Sequence, residues 1–427
     1  MNVLRKNKQI FGWLMYDFAN SAFATIILAS IFPLYFVRYV VPAEGISLYP
    51  FDLKFTTNAT SLWAYAVSLS TLIVALSAPI LGAIADLSHS KKRFLFFYCY
   101  LGCLCSGLLY FVEKGDYWMA IAFFVLANIG FESSNVFYNA FLKDIASEKE
   151  IDWISGKGFA YGYLGGGLLL IINLFIIAKH QWLGIPSKQM GMRFCFLTVS
   201  LWWAIFALPT FYFLKGHKKP PFKKTGNYLK EGFRIFFQTI KEISHYRQAI
   251  KFLIAFLIYN EGVQTVIVMA TVFGTTELLL KESTLIGVLL MVQFIGIAGA
   301  LFFGQMGQKI GAKRTLLIIL TIWIGVTLYA FFMKKTVEFW IMGVVVGFIL
   351  GGSQALSRSL YALLIPKEKS SEFFGFYAIS NRFASIFGPL GFGLVRDILG
   401  NIRYSIPFLT VFFIIGMIIL VTIEVKK

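Results

Sequence analysis

Charged residues are scarce in this 427-residue sequence, in which Asp, Glu, Lys and Arg together make up only 14%. Soluble domains carry about 25% charged residues, and a globule needs a wettable surface, so the shortage argues against a soluble fold. Hydrophobic residues reach 58%, with 46 Phe among them. Because lipid solvates an apolar exterior, this composition predicts an integral membrane protein.

Motifs of several catalytic classes are missing as well. The sequence contains no G-x-x-x-x-G-K-[ST] phosphate loop, no H-E-x-x-H zinc motif and no nucleophile elbow. We therefore predict neither ATP hydrolysis nor another enzymatic activity, and no cofactor. The four Cys lie inside apolar runs and the four His lie near predicted helix ends or in loops, so we expect no disulfides and no metal site.

The net charge of +18 does not indicate nucleic-acid binding, because the basic residues occupy short gaps between apolar runs. Arg5, Lys6 and Lys8 precede the first run, and further basic clusters follow the even-numbered runs. The first run contains Asp17 and Asn20 and lacks a cleavage site, so we interpret it as a span and not as a signal peptide. The charge pattern predicts a multi-pass protein of the cell (inner) membrane with both termini in the cytoplasm.

Twelve runs are long and apolar enough to cross a bilayer as helices, which takes about 20 residues each. Barrel strands would instead alternate between polar and apolar residues. The fold class predicted is an all-α membrane protein of twelve transmembrane helices. The runs cover residues 11–38, 59–85, 93–112, 117–142, 157–178, 192–214, 249–273, 284–307, 314–333, 336–363, 372–397 and 403–424.

A long basic segment separates the sixth run from the seventh. It begins with KGHKKPPFKK, whose prolines break a helix, and continues with apolar residues at helical spacing from Leu229 to Ile243. An amphipathic helix on the cytoplasmic membrane surface and a soluble linker helix packed on the domain ends both fit this pattern. The predicted domains are residues 1–214, a linker of residues 215–248, and residues 249–427.

The two predicted six-helix bundles resemble each other. Asp17, Asn20 and Ser21 in the first span match the spacing of Glu261, Gln264 and Thr265 in the seventh. GAIADLSHSKKR (82–93) parallels GQMGQKIGAKR (304–314), and NVFYNAFL (135–142) parallels RSLYALLI (358–365). Like halves joined by a cytoplasmic linker are typical of secondary transporters, so we predict a transporter working by alternating access.

Polar and ionisable residues inside the spans are the candidates for a transport pathway, because such groups are costly in a membrane. Asp17 fits the pathway or an interfacial position at the helix start. Glu132 is the best candidate for proton coupling, and its alternative is a structural pair with an arginine. Arg358 and Arg382 fit an anionic substrate group or a salt bridge between the halves. The full set is Asp17, Asn20, Glu132, Asn135, Asn139, Glu261, Gln264, Gln354, Arg358, Asn381 and Arg382.

The layout resembles the major facilitator superfamily, given the two sets of six spans and the gap Gly82-x-x-x-Asp86 with Lys91, Lys92 and Arg93. This resemblance implies that Asp86 helps to latch the two halves on the cytoplasmic side. Gln308 occupies the matching position of the second copy, so the same role is not expected there.

A narrower resemblance covers nearly the whole chain. YDFANSAFATII (16–27), FYNAFLKDIA (137–146), GYLGGG (162–167), YNEGVQTVI (259–267), SQALSRSLYALLIP (353–366) and EFFGFYAISNRFASIFGPLGFGLV (372–395) are similar to a bacterial family related to the fungal autophagy-related vacuole effluxers. The fungal relatives are associated with amino-acid export from the vacuole.

The resemblance and the residue pattern together predict transport of an amino acid or similar small polar metabolite, with H⁺ as a candidate coupling ion. We expect a monomer in the lipid bilayer. The alternatives are a non-transporting sensor or scaffold of the same fold and a drug or lipid efflux protein.

Overall fold

The computed structural model describes residues 3–42, 44–48, 55–215, 228–241, 243–384, 388, 391–392, 394–395, 398, 403 and 405–425. Nearly all of these residues are helical. The α-helices are α1 (Val3–Ala22), α2 (Ile31–Tyr35), α3 (Ala59–Leu87), α4 (Lys91–Leu108), α5 (Tyr117–Ala140), α6 (Leu142–Ile145), α7 (Ile151–Ala178), α8 (Lys188–Phe206), α9 (Leu208–Phe213), α10 (Tyr228–Lys241), α11 (Arg247–Thr276), α12 (Glu282–Ile310), α13 (Ala312–Phe332), α14 (Thr336–Leu364), α15 (Ser370–Phe383) and α16 (Ser405–Val421).

Short elements of other kinds connect these helices. Strands β1 (Ile46–Leu48) and β2 (Phe55–Thr57) pair antiparallel, with Ser47 opposite Thr56. Single 3₁₀ turns cover Leu109–Phe111, His180–Leu183 and Ile243–Tyr246.

Ten helical segments in the described ranges are long and apolar enough to cross a membrane. They coincide with the first ten predicted spans, although most extend past the apolar run because polar ends remain helical outside the hydrocarbon. The shorter apolar helix α16 occupies the twelfth predicted span. Helix α15 occupies the start of the eleventh, of which residues 385–387, 389–390, 393 and 396–397 lie outside the described residues.

The first span, Val3–Val40, is not a uniform α-helix. Wide π-helical turns cover Phe23–Leu28 and Phe36–Val40, and Ser30 has a non-helical backbone. The Ser30 hydroxyl donates a hydrogen bond of 2.6 Å to the Thr25 carbonyl oxygen. This side chain therefore satisfies a backbone group that the break would otherwise leave without its helical partner.

The chain divides into two compact units. Unit 1 comprises residues 1–78, 89–138 and 164–220, and unit 2 comprises residues 79–88, 139–163 and 221–427. The short segments 79–88 and 139–163 thus pack with the second half of the sequence. The domain boundaries predicted after residues 214 and 248 stay a prediction.

Aromatic side chains fill much of unit 1. The ring of Phe23 stacks on Phe131 at 4.9 Å and lies 5.7 Å from Trp203, which is fully buried. In unit 2, a buried apolar cluster includes Phe273, Met333 and Leu409. Each unit therefore has a core of its own.

Helix α10 lies within unit 2, in the predicted linker. A Cβ on Gly232 would overlap the Ile84 side chain, and the ring of Phe236 stacks on Phe376 at 6.0 Å. Phe233 and Phe237 on the other side of the helix are exposed. One face of the helix therefore packs on protein and the other is open, while residues 216–227 and 242 of the linker lie outside the described residues.

In each half of the sequence, an arginine binds a carbonyl oxygen at the C-terminal end of the third span. Arg193 donates to the Tyr110 carbonyl oxygen at 2.6 Å and pairs with Glu113 at 2.9 Å. Arg403 donates to the Met333 carbonyl oxygen at 2.6 Å and pairs with Glu277 at 2.9 Å. Both guanidinium groups sit at helix C-termini, where orphan carbonyl groups and the helix dipole favour a cation.

Candidate functional site

Asp17 lies in the contact between α1 and α5, inside unit 1. The Tyr138 hydroxyl donates a hydrogen bond of 2.7 Å to the Asp17 carboxylate. Tyr138 is itself fixed, because Trp13 stacks on it at 4.6 Å and donates its indole N–H to the Tyr138 carbonyl oxygen at 2.9 Å. Asp17 is buried, which places it inside the bundle of unit 1 and not at an exposed helix start.

A second polar contact joins the same two helices. The Asn20 amide donates to the Asn135 side-chain oxygen at 2.7 Å. Glu132 lies one turn before Asn135 on the same face of α5 and is only 4% exposed. Glu132 and Asn135 therefore belong to one polar stripe at helical spacing on α5, which the Asn20 amide contacts from α1, inside segments apolar enough to span a membrane.

Arg358 is a candidate residue of unit 2 that several neighbours hold in place, and only 2% of it is exposed. Its Nε donates to the Ser155 hydroxyl at 3.0 Å and its Nη2 to the Ser155 carbonyl oxygen at 2.9 Å. Its Nη1 donates to the Asn139 side-chain oxygen at 3.3 Å. The guanidinium plane also covers the ring of Phe159 at 4.1 Å, so α14 is fixed to α5 and α7 by one side chain.

Other candidates in unit 2 are also hydrogen-bonded across helices. Tyr163 donates its hydroxyl to the Gln354 side chain at 2.7 Å. Asn260 donates to the Asn381 side chain at 2.9 Å and accepts a long hydrogen bond of 3.5 Å from Gln264.

Glu261 and Arg382 complete the candidates of unit 2. Glu261 is buried and accepts the backbone N–H of Gly388. Arg382 is half-buried on α15. Unit 2 therefore holds buried amide, hydroxyl, carboxylate and guanidinium groups that can exchange hydrogen bonds with a polar ligand.

The gap motif after the second span makes a specific contact inside unit 2. The Asp86 carboxylate accepts the backbone N–H groups of Ser371 and Glu372 at 2.8 and 3.0 Å. These two N–H groups lie in the first turn of α15, where backbone donors have no acceptor within the helix. Asp86 therefore supplies their acceptor and faces the positive end of the helix dipole. A Cβ on Gly82 would overlap the Ser371 carbonyl oxygen, which explains why glycine is needed there.

The remaining residues of the motif start α4 and belong to unit 1. Lys91 is buried, Lys92 is half-buried and Arg93 is exposed. In the described part of the chain, no group of three His, Cys, Asp or Glu is placed to hold a metal ion.

The structure pairs several predicted residues with partners that the sequence reasoning missed. Tyr138, Ser155 and Tyr163 hold Asp17, Arg358 and Gln354. Tyr138 lies three residues after Asn135, on the same helical face, so the periodicity of α5 could have indicated it. No comparable signal singles out Ser155, because its partner Arg358 is more than two hundred residues away.

A family model described as "Vacuole effluxer Atg22 like" matches residues 5–427. The chain is 34% identical to an uncharacterized MFS-type transporter, YxiO of Bacillus subtilis, over 97% of this chain and 95% of that protein. It is 25% identical to Autophagy-related protein 22 of Kluyveromyces lactis, over 98% of this chain and 94% of the relative.

Solved structures give the same fold. The fucose transporter FucP in the outward conformation aligns with a TM-score of 0.72 at 13% identity, covering 99% of both chains. The proton:xylose symporter XylE aligns with a TM-score of 0.65 at 14% identity, covering 97% of this chain and 94% of its own. The predicted all-α major facilitator fold is confirmed, and the relatives are transporters and not enzymes.

Proposed function

We propose that this chain, which belongs to the vacuole effluxer Atg22-like family, moves a small polar solute such as an amino acid across the membrane by alternating access. The burial of Arg358 carries the proposal. A guanidinium group inside membrane-spanning helices is costly, and such groups mark substrate or ion pathways. Arg358 is held at four points, which gives the rigidity that recognition of a carboxylate requires.

The contact of Asp86 with the start of α15 supports the alternating-access mechanism. It joins the second span to the eleventh through two hydrogen bonds from backbone N–H groups. Such a contact can break and re-form as a unit when the helix moves. We propose that Asp86 is the latch of one transport state, with Gly82 allowing the close approach.

Glu132 is the proposed site of proton coupling. It is nearly buried on the polar face of α5 that also carries Asn135, and a carboxyl group at such depth changes its charge at a large energetic cost. Coupling needs a group whose protonation differs between transport states. A carboxyl group whose surroundings change during transport meets this requirement.

Uptake by proteoliposomes tests the proposal. A panel of labelled amino acids is offered to the purified protein with and without a pH gradient. We expect at least one amino acid to accumulate, and we expect the gradient to increase the uptake. Glu132→Gln should abolish the effect of the gradient, because Gln cannot release a proton.

Glu44→Gln is the matched control, since Glu44 is exposed. It should leave both uptake and the gradient effect unchanged. Unaltered pH dependence in Glu132→Gln would contradict the assignment of the proton site. Absence of flux for every small solute would favour a sensor or scaffold, and flux of apolar compounds alone would favour an efflux protein.

The cellular arrangement follows from the basic gaps. We propose that both termini face the cytoplasm, because the lysine- and arginine-rich gaps alternate with poorer ones along the chain. We also propose that a single chain is sufficient for transport, since both halves needed for alternating access are present in it.

A further inference from the structure

Two buried carboxyl groups occupy equivalent positions in the two halves of the sequence. Asp152 lies in the first turn of α7 and Glu372 in the first turn of α15, and each follows an exposed glutamate by four residues, Glu148 and Glu368. Asp152 is 5% exposed and Glu372 is 1% exposed. Neither is in the set of pathway residues, and both belong to unit 2.

Asp152 faces α12 at a contact made through glycines. A Cβ on Gly307 would lie 3.2 Å from the Asp152 Cβ, and one on Gly304 would lie 3.2 Å from the Asp152 carbonyl oxygen. The Ser359 hydroxyl of α14 also faces the carboxyl group. In the part of the chain that the structure describes, the Asp152 Oδ1 has no hydrogen-bond partner, so α7 and α12 meet with the carboxyl group enclosed between them.

Glu372 is enclosed in the related contact between α15 and α3. Its own backbone N–H and that of Ser371 donate to Asp86. Among the described residues, no group lies at ordinary hydrogen-bond distance from either oxygen of the Glu372 side chain, although the Thr239 hydroxyl faces them. The groups that face this carboxyl are the Asp86 carboxylate, the Lys369 ammonium and the Thr239 hydroxyl of α10, together with Tyr361 of α14. The Lys369 ammonium donates to the Thr239 hydroxyl at 3.1 Å.

The two contacts follow one plan. The end of the second span of one half lies against the start of the fifth span of the other half, with glycines at the crossing and a buried acid beside them. An ionised carboxylate buried without its hydrogen bonds is strongly unfavourable, whereas a protonated carboxyl group is tolerated. At Glu372 the nearby Asp86 charge adds repulsion to this cost.

We propose that Asp152 and Glu372 are a matched pair of proton-binding sites that are both protonated while these two helix contacts are closed. When a contact opens, water reaches the carboxyl group, which ionises and releases its proton to the solvent on that side. The closed contacts bind more protons than the open ones, so their stability decreases as the pH rises. The inference goes beyond the proposed transport function, because it concerns the contacts themselves and holds for any solute.

Hydrogen exchange at constant temperature tests this inference on the purified full-length protein. Peptides covering residues 150–156 and 370–376 report the two contacts, with rates corrected for the intrinsic pH dependence of exchange. We expect protection in both peptides to fall as the pH rises, by up to about tenfold per pH unit for each proton released. A pH-independent protection in the wild-type protein would overturn the proposal without any variant.

Neutral variants identify the groups responsible. Glu372→Gln should keep the second peptide protected at alkaline pH, and Asp152→Asn should do the same for the first, because both resemble the protonated acids. Glu148→Gln and Glu368→Gln are matched controls, since both residues are exposed, and they should retain the wild-type pH dependence.

A purely structural role for the two acids predicts a different result. The neutral variants would then lose protection at every pH, or keep the pH dependence of the wild-type protein. If Glu372→Gln does not fold, Glu372→Met provides a second uncharged side chain of similar length. Uptake measurements are not needed, so failure of this inference is distinguishable from failure of the transport proposal.

Discussion

At the scale of single residues, hydrogen bonds stabilise a buried ionisable group in each unit. Asp17 in unit 1 accepts from the Tyr138 hydroxyl, and Arg358 in unit 2 has several acceptors. Arg358 donates to two oxygens of Ser155 and one of Asn139, with Phe159 beneath its plane. These positions match the planar fork of a guanidinium group, which a lysine cannot reproduce.

Arg358→Lys therefore keeps the charge but loses the geometry. We expect uptake to fall at least about tenfold, because the lysine leaves some of these buried acceptors without donors, at about 1–3 kcal/mol for each one. The transport assay measures the fall in uptake, and thermal unfolding of the purified protein measures the loss of stability. Arg234→Lys is the control, since Arg234 is 73% exposed, and uptake near the wild-type level for Arg358→Lys would show that charge alone is sufficient.

Candidate residues could be selected from the sequence, but their partners could not. Asp17 stands out as an acid in an apolar run and Tyr138 shares the polar face of α5, but nothing in the sequence pairs the two residues. The hydrogen bond between them joins residues 121 positions apart, and such a pairing depends on how two helices cross. Hydrophobic periodicity describes the faces of one helix and carries no information on that crossing.

At the scale of elements, close helix contacts in unit 2 depend on glycines, which have no side chain. Gly82 lets α3 reach the start of α15, and Gly156 lets α7 reach α12, where a Cβ would lie 2.5 Å from the Ala300 carbonyl oxygen. Small residues allow helix backbones to approach closely where lipid supplies no hydrophobic driving force.

Gly82→Ala should weaken the contact between α3 and α15. The added methyl group overlaps backbone atoms, which cannot rotate away, so we expect a cost of about 1–3 kcal/mol. Faster hydrogen exchange in residues 370–376 is the measurement. Gly325→Ala is the matched control, because no described atom lies within 4 Å of a Cβ at Gly325 in α13, and equal exchange in both variants would contradict the role of Gly82.

At the scale of the whole molecule, the sequence was sufficient to predict the fold class. Twelve apolar runs and a repeated pattern indicate the major facilitator fold. A helix in lipid must form all its backbone hydrogen bonds internally, so it can be recognised in the sequence from the length and composition of its apolar run. The grouping of residues 79–88 and 139–163 with the second half was not predicted. It arises from particular contacts between helices, such as those of Ser155 with Arg358 and of Gly156 with Ala300, on which hydropathy carries no information.

Cysteine labelling tests the predicted orientation of the chain. All four native cysteines are buried, so a membrane-impermeant maleimide should leave the wild-type protein unlabelled. Glu148→Cys and Lys114→Cys place thiols at exposed positions after the fourth and third spans. The first should react only from the cytoplasmic side and the second only from outside, and the reverse result would invert the proposed topology.

The wide turns of the first span change how its surface should be mapped. A π turn uses about one residue more than an α turn, so the angular position of each side chain shifts across Phe23–Leu28 and again across Phe36–Val40. A helical wheel drawn with one period from Asp17 onward would assign the wrong neighbours to every residue past Ala22. When the mutations of this span are mapped on a helical wheel, a new wheel therefore has to begin at Ile31, where regular α-helix resumes.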